Sequence, residues 1–440
     1  MHHTTNHFKR IRACVFCIVF VACWAPQPSE SAADAPAQTD SAQHEQKTWA
    51  RTFGGPWNEN LLDLDCITDG GFILAGTTAS KDYTDGDAYL LRLSASGEKV
   101  WCRTYGGDNL DSFNNVTETV DGGLIAVGWT QSSGAEQQDI YLVKTDPNGV
   151  EQWHRIIGND SVEMGQSIAP TPDGGYVIAG IKGSLGPDAC GGNVLKKHTA
   201  LLLKIDGDGN QLWQHTFDGE ENSFGTAVRL TSDGGFMLAG MQGNIPFGSP
   251  KRGLLIKTDD KGNELFSKTY CDELLVNLAD VKQTSDGGYI AIGSSESAPA
   301  GRFDFFLIRT DSEGTELWHR TYGTPEFHEH AYSVLETPDN HFVLAGGAQR
   351  TDDDLADLLL MKVDANGTEI WQRWFGGAVP EKATKVISTP DGGYIIGGFS
   401  YPCPQQPDSD CYVVKTDSNG QGPPHGQATW IHCPELAATQ

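Results

Sequence analysis

Short apolar runs of strand length alternate with polar turns from about residue 48 to residue 420, and the alternation is periodic. The clearest copy is Ser285-Asp286-Gly287-Gly288 followed by Tyr289-Ile290-Ala291-Ile292. Matching turns carry Asp69, Asp121, Asp173, Asp233, Asp339 and Asp391, at intervals of 52, 52, 60, 53, 53 and 52 residues along the series. Glycine reaches positive φ without a Cβ clash, so Asp-Gly-Gly between apolar runs predicts a tight hairpin. The sixth copy reads Asp339-Asn340-His341. Asn tolerates left-handed backbone and His does not, so only the first position after Asp is expected to need positive φ.

The rest of each period repeats as well. A second apolar run carries one basic residue, as in Asp139-Ile140-Tyr141-Leu142-Val143-Lys144, and ends in a turn at Gly149. The equivalent turns lie at Gly97, Gly209, Gly262, Gly314, Gly367 and Gly420. Four residues after each of the first six stands an aromatic: Trp101, Trp153, Trp213, Phe266, Trp318, Trp371. Each period thus predicts four strands: A before Asp-Gly-Gly, B after it, C with the basic residue and D with the aromatic. Four antiparallel strands repeated at this period predict an all-β fold, a seven-bladed β-propeller. The seventh period lacks its D strand, and an orphan D strand, Thr48-Trp49-Ala50-Arg51-Thr52-Phe53, precedes the first. The N-terminal strand is therefore expected to complete blade seven and close the ring, leaving no open edges to cap.

Outside the ring, Lys9, Arg10 and Arg12 precede an apolar stretch from Ala13 to Ala22, a pattern predicting a secretory signal over 1–22. Phe20-Val21-Ala22-Cys23 resembles a bacterial lipobox, which would make Cys23 the lipidated N-terminus; cleavage further on, after Ala33-Asp34-Ala35, is the alternative. Residues 23–46 lack apolar periodicity and predict a flexible tether, and 421–440 predict an irregular tail. The expected location is exported: the bacterial envelope, as an outer-membrane lipoprotein or in the periplasm, or the extracellular medium.

The formal net charge is −27, and removing the signal's three basic residues deepens it to −30. That disfavours nucleic acid and leaves the membrane as partner only through a lipid anchor. Of ten cysteines, Cys403 and Cys411 flank a Pro-rich B–C connection and are the expected disulfide. No Cys-x-x-Cys pair or Cys/His cluster in the ring suggests zinc.

Residues present in every blade are expected to serve the blade. The strand C bases (Arg92, Lys144, Lys204, Lys257, Arg309, Lys362, Lys415) are expected to discourage edge pairing, and the strand D aromatics to pack blade on blade. Ligands are expected on the opposite face from the uniform turns, where the variable B–C and D–A connections gather. Candidates there are Trp129, Lys196, His198, and His328 and His330, which flank Glu329. Glu59, Asp111, Glu163 and Glu381 stand ten residues after the strand D aromatic; they predict either caps for the start of strand A or cation ligands. No cofactor is expected, and calcium is the one ion that these acids admit.

The spacing Asp-x-x-Gly-x-x-x-Trp, shown by Asp146, Gly149 and Trp153 and again by Asp311, Gly314 and Trp318, resembles the tryptophan-docking motif of quinoprotein-type propellers. The whole unit resembles the Asp-Gly-Gly repeat propellers of secreted bacterial and archaeal proteins. Quinoprotein dehydrogenases typically have eight such units and an adjacent Cys-Cys pair, and neither is present. The expectation is a monomeric, non-catalytic exported binding or scaffold protein for a protein or glycan. The alternative is a divergent quinoprotein-like oxidoreductase, or another enzyme with acids at the channel mouth.

Overall fold

The computed structural model describes residues 48–436, apart from the short connections 56–57, 80–84, 133–136, 160, 188–192, 220, 244–250, 272–274, 298–301, 325–326, 351–355, 377–379, 402–408 and 425–426. The signal, Cys23, the tether and Cys403 lie outside the described residues.

Each period forms one antiparallel meander. In blade one, strands A (Asn58–Cys66), B (Phe72–Ala79), C (Ala88–Leu93) and D (Lys99–Tyr105) lie side by side in chain order. Five further four-stranded sheets span 111–157, 162–217, 223–270, 275–322 and 327–375. Successive A strands touch one another around a closed circuit, which places them on the axis and the D strands at the circumference. B and C strands read as unbroken apolar runs because both faces are covered by the neighbouring blades; Leu124–Thr130 is buried throughout.

Blade seven is closed as the repeat count requires. Trp49–Gly54 pairs antiparallel with Asp410–Lys415, Trp49 opposite Lys415 and Phe53 opposite Cys411. The C-terminal tail departs from the irregular course expected of it. Thr429–His432 adds a fifth strand, parallel to the N-terminal one, with Arg51 opposite Thr429. Cys433 then donates its amide to Gly54 O (2.7 Å), and a short turn buries Leu436. The tail's polar residues carry no apolar alternation, so this strand rests on an available sheet edge, not on its own pattern.

The strand C bases have a different role from the one expected. Strand C lies inside the sheet, so it has no edge to guard. In every blade its base pairs instead with the Asp of its own Asp-Gly-Gly turn: Arg92–Asp69, Lys144–Asp121 (2.8 Å), Lys204–Asp173 (3.0 Å), Lys257–Asp233 (2.9 Å), Arg309–Asp286, Lys362–Asp339 (2.9 Å) and Lys415–Asp391 (2.8 Å). The same Asp accepts the amide two residues on, as in Gly175 N to Asp173 Oδ1 (3.1 Å), so one carboxylate ties the turn to strand C. The first turn position has positive φ in all seven copies, Asn340 included (57°). The second does not. Its glycine answers to crowding: a Cβ on Gly175 would stand 2.3 Å from Ile205 O and 2.4 Å from Lys204 Nζ.

Blade-to-blade packing follows the aromatic spacing. Each strand D aromatic lies against the C–D turn glycine of the next blade, so that a Cβ on Gly420 would stand 2.5 Å from Trp371 and one on Gly97 2.7 Å from Trp49. Strand D bases stack on the same rings, with the guanidinium of Arg155 5.0 Å from the centre of Trp153.

Candidate functional site: the axial channel and the variable face

The A–B and C–D turns share one face, and the antiparallel meander sends the B–C and D–A connections to the other. Four backbone bonds bring those connections together: Glu59 N to Ser409 O (2.7 Å), Asp111 N to Gly86 O (2.9 Å), Glu163 N to Gln138 O (2.7 Å) and Val276 N to Lys251 O (2.8 Å).

Around the axis, the A strands are joined by a polar belt. Asp63 accepts from Val116 N (3.0 Å), Asn115 Nδ2 and Lys385 Nζ (2.9 Å). Asn115 Oδ1 accepts from Ile168 N (2.8 Å); Arg229 reaches Ser167 Oγ (3.2 Å) and Asp280 Oδ1 (2.5 Å); Asp280 Oδ2 accepts from Val334 N (3.3 Å). Against the cost of burial, Arg229 and its neighbouring lysines hold the Asp280 carboxyl at about 2. Burial, reinforced by Arg229, draws the Lys282 ammonium down to about 8. The belt escaped the sequence reading because its members differ in type from blade to blade; Asp63, Asn115 and Asp280 stand just past the bulge in strand A, and Arg229 and Lys282 two residues further on.

The candidate residues divide. Glu59 and Asp111 are fully buried and cap the loop before strand A, accepting from Gly55 N (3.0 Å) and Gly107 N (2.9 Å). The sequence series breaks at His328, but Glu329 takes the equivalent place one residue later, accepting from Thr324 N (3.1 Å). Glu163, also buried, pairs with Lys182 (2.7 Å), and Glu381 is buried. Trp129, expected as an exposed aromatic, is 9% exposed and packs inside the blade. Lys196 lies on the strand Asn193–Ile205, and its side chain is outside the described residues.

His198 is 1% exposed, stacks on Phe224 at 3.9 Å between ring centres, and leaves both ring nitrogens without partners. Burial, then Lys251, lowers its pKa to about 4. His330 is half-buried against Phe303 (4.8 Å), and burial, Lys382 and His328 likewise lower it to about 4. His328 is partly exposed. Among the described residues, no three His, Cys, Asp or Glu side chains converge as a metal site.

A histidine whose folded pKa lies below its unfolded value costs stability as pH falls from about 6.5 towards 4, because the unfolded chain then binds more protons. His198→Phe removes that cost and two unpaired polar atoms. Its thermal midpoint is expected to exceed the parent's by more at pH 5 than at pH 7.5. An equal gap at both would show that His198 does not titrate as its burial implies.

The expected bridge between Cys403 and Cys411 is not supported at Cys411. That residue carries a free thiol turned into the core between blades seven and one, 2.6 Å from Tyr89 Oη. Strand alternation turns its side chain into that core.

A recurring arrangement surrounds the acids. Three junctions bring the Asp at the start of strand C against the acid at the start of strand A of the next blade, Asp87/Asp111, Asp139/Glu163 and Asp357/Glu381, and Asp304/Glu329 and Asp410/Glu59 hold the equivalent positions in the sequence. The glycine ending strand D leaves them room. A Cβ on Gly106 would meet Asp111 Oδ2 at 2.4 Å and Asp87 Oδ1 at 2.7 Å, and one on Gly376 would meet Asp357 Oδ1 at 2.0 Å and Glu381 Oε2 at 2.9 Å.

No protein-family model matches the chain, and no curated protein sequence does. Solved structures do. The polysaccharide lyase Uly1 is 10% identical with a TM-score of 0.51, over 80% of this chain and 90% of its own. YCF48 bound to D1 peptide is 14% identical with a TM-score of 0.48, over 84% and 95%. Sqt1 from Chaetomium thermophilum is 11% identical with a TM-score of 0.43, over 84% and 99%. At such identities the likeness concerns the fold alone: the chain is a seven-bladed β-propeller.

Proposed function

We propose that the chain is an exported, non-catalytic propeller that binds a protein or a glycan through the face carrying the B–C and D–A connections. The supporting observation is the contrast between the two faces. On one, seven near-identical turns spend their polar groups on their own blade and the adjoining one, as Thr68 does on Glu118 and Ser285 on Glu336. On the other, the strand A position next to the acid or its replacement changes from blade to blade, through Asn60, Ser112, Met164, Phe224, Asn277, His330 and Lys382. Tyr332, 38% exposed on the inner strand of blade six, offers an aromatic surface beside His330. A rigid scaffold with one idiosyncratic face is the usual layout for recognition. The same contrast weighs against a quinoprotein-like enzyme, which would concentrate its chemistry on one convergent set of groups.

Cross-linking mass spectrometry on the purified chain in an envelope extract tests this. Cross-links to a partner are expected near Lys182, Lys382 and the B–C connections. Cross-links spread equally to Lys144, Lys261 and the other turn-face lysines would contradict the reading. Binding of a glycan is read separately on an array, where Tyr332→Ala and Lys382→Glu are expected to weaken it at least tenfold.

A further inference from the structure

The carboxylate pairs at the blade junctions pose an electrostatic problem that capping does not solve. A cap needs one acid; these junctions hold two, and at Asp87/Asp111 and Asp139/Glu163 both are buried. At Asp111, Oδ2 is occupied by Gly107 N and Ser132 Oγ (2.8 Å), while Oδ1 is buried with no partner. At the next junction, Lys182 takes Glu163 Oε1, while Glu163 Oε2 and Asp139 Oδ1 are both buried and unpartnered. Asp111, Glu163 and Asp139 are 0%, 2% and 8% exposed, so bulk water does not satisfy these oxygens. An unpaired buried carboxylate oxygen is costly, and two facing ones are costlier.

The two remaining junctions sharpen the point. Where strand C opens with Thr199 instead of Asp, the next strand A opens with Ser223; where it opens with Arg252, the partner is Val276. The acids are kept together or lost together. Independent caps would not be coupled this way, since Asp87 and Asp139 cap nothing. What two facing carboxylates share is either a proton or a cation.

We propose that the Asp87/Asp111 and Asp139/Glu163 junctions are sites for a hard divalent cation of the calcium class. Such a cation takes carboxylate, carbonyl and water oxygens in flexible number, so two carboxylates with backbone carbonyls and water form an acceptable set. The glycine at the end of strand D lets the carboxylates stand where its side chain would otherwise be, as at Gly106 and Gly158. The ions would clamp each B–C connection to the following D–A connection. The inference stands independently of the ligand proposed above.

The shared-proton alternative has its own signature. Burial, then the facing acid, raises Asp87 and Asp139 to about 6. In the absence of metal, the folded chain then holds more protons than the unfolded one between about pH 4 and 6, and the pairs lose stability as pH rises through that window.

The test uses the full purified chain, stripped with EDTA and titrated with calcium chloride alone at pH 7.5. At least two calcium ions per chain are expected by calorimetry, together with a rise in thermal midpoint that EDTA reverses. The double variant Asp87→Asn, Asp139→Asn, checked for native circular dichroism, is expected to weaken those two sites at least tenfold. No calcium heat and an unchanged midpoint in the unmutated chain would overturn the proposal. So would a midpoint that responds to acidification but not to calcium, which would assign the shared particle as a proton.

Discussion

Trp49→Ala is expected to destabilise the ring by about 3–5 kcal/mol, the range for deleting a buried aromatic side chain. Trp49 is buried at the seam, edge-on to Phe72 at 6.1 Å between ring centres, and it supports the C–D turn of blade one at Gly97. Its strand is what joins the ring, so the loss falls on closure itself and not on one blade. Trp153→Ala, at a half-exposed equivalent between blades that the chain already links in order, is expected to cost less. Urea denaturation of both variants decides the matter. A cost below about 1 kcal/mol at Trp49 would mean that the seam does not limit stability.

Asp63→Ala is the second large expectation. It removes the acceptor of Val116 N and Asn115 Nδ2 and leaves Lys385 in the channel without its ion partner. Breaking a buried pair from one side costs about 3–5 kcal/mol, whereas replacing both partners by apolar groups is often neutral. The double variant Asp63→Leu, Lys385→Met is therefore expected to recover most of the loss. If the double variant is as unstable as the single one, the backbone contact to Val116 matters more than the ion pair.

The blade count, the strand order and the closing strand were all legible in the sequence, because turn chemistry and apolar runs repeat with the blade. Asn340 alone distinguished which turn position needs positive φ. The pairing of Lys204 and its counterparts with the turn Asp was not legible, since it depends on which residues of strands B and C stand opposite one another. Trp129 was misplaced for the opposite reason: the final residues of strand B precede a variable loop and look exposed, but the neighbouring blade covers them. Of the candidate site, the acids before strand A were found by spacing. Their partners Asp87 and Asp139 were not, because each lies in the preceding blade and meets its acid only through the three-dimensional junction.

The antiparallel match of Trp49 with Lys415 sets the order in which the molecule can be finished. The first strand of the ring to leave the ribosome waits for nearly the last. At about 5–20 residues per second of synthesis, that wait is on the order of tens of seconds. For that time the nascent polypeptide carries an unsatisfied sheet margin, a demand on whatever holds it unfolded, and no six-blade shortcut can retire it.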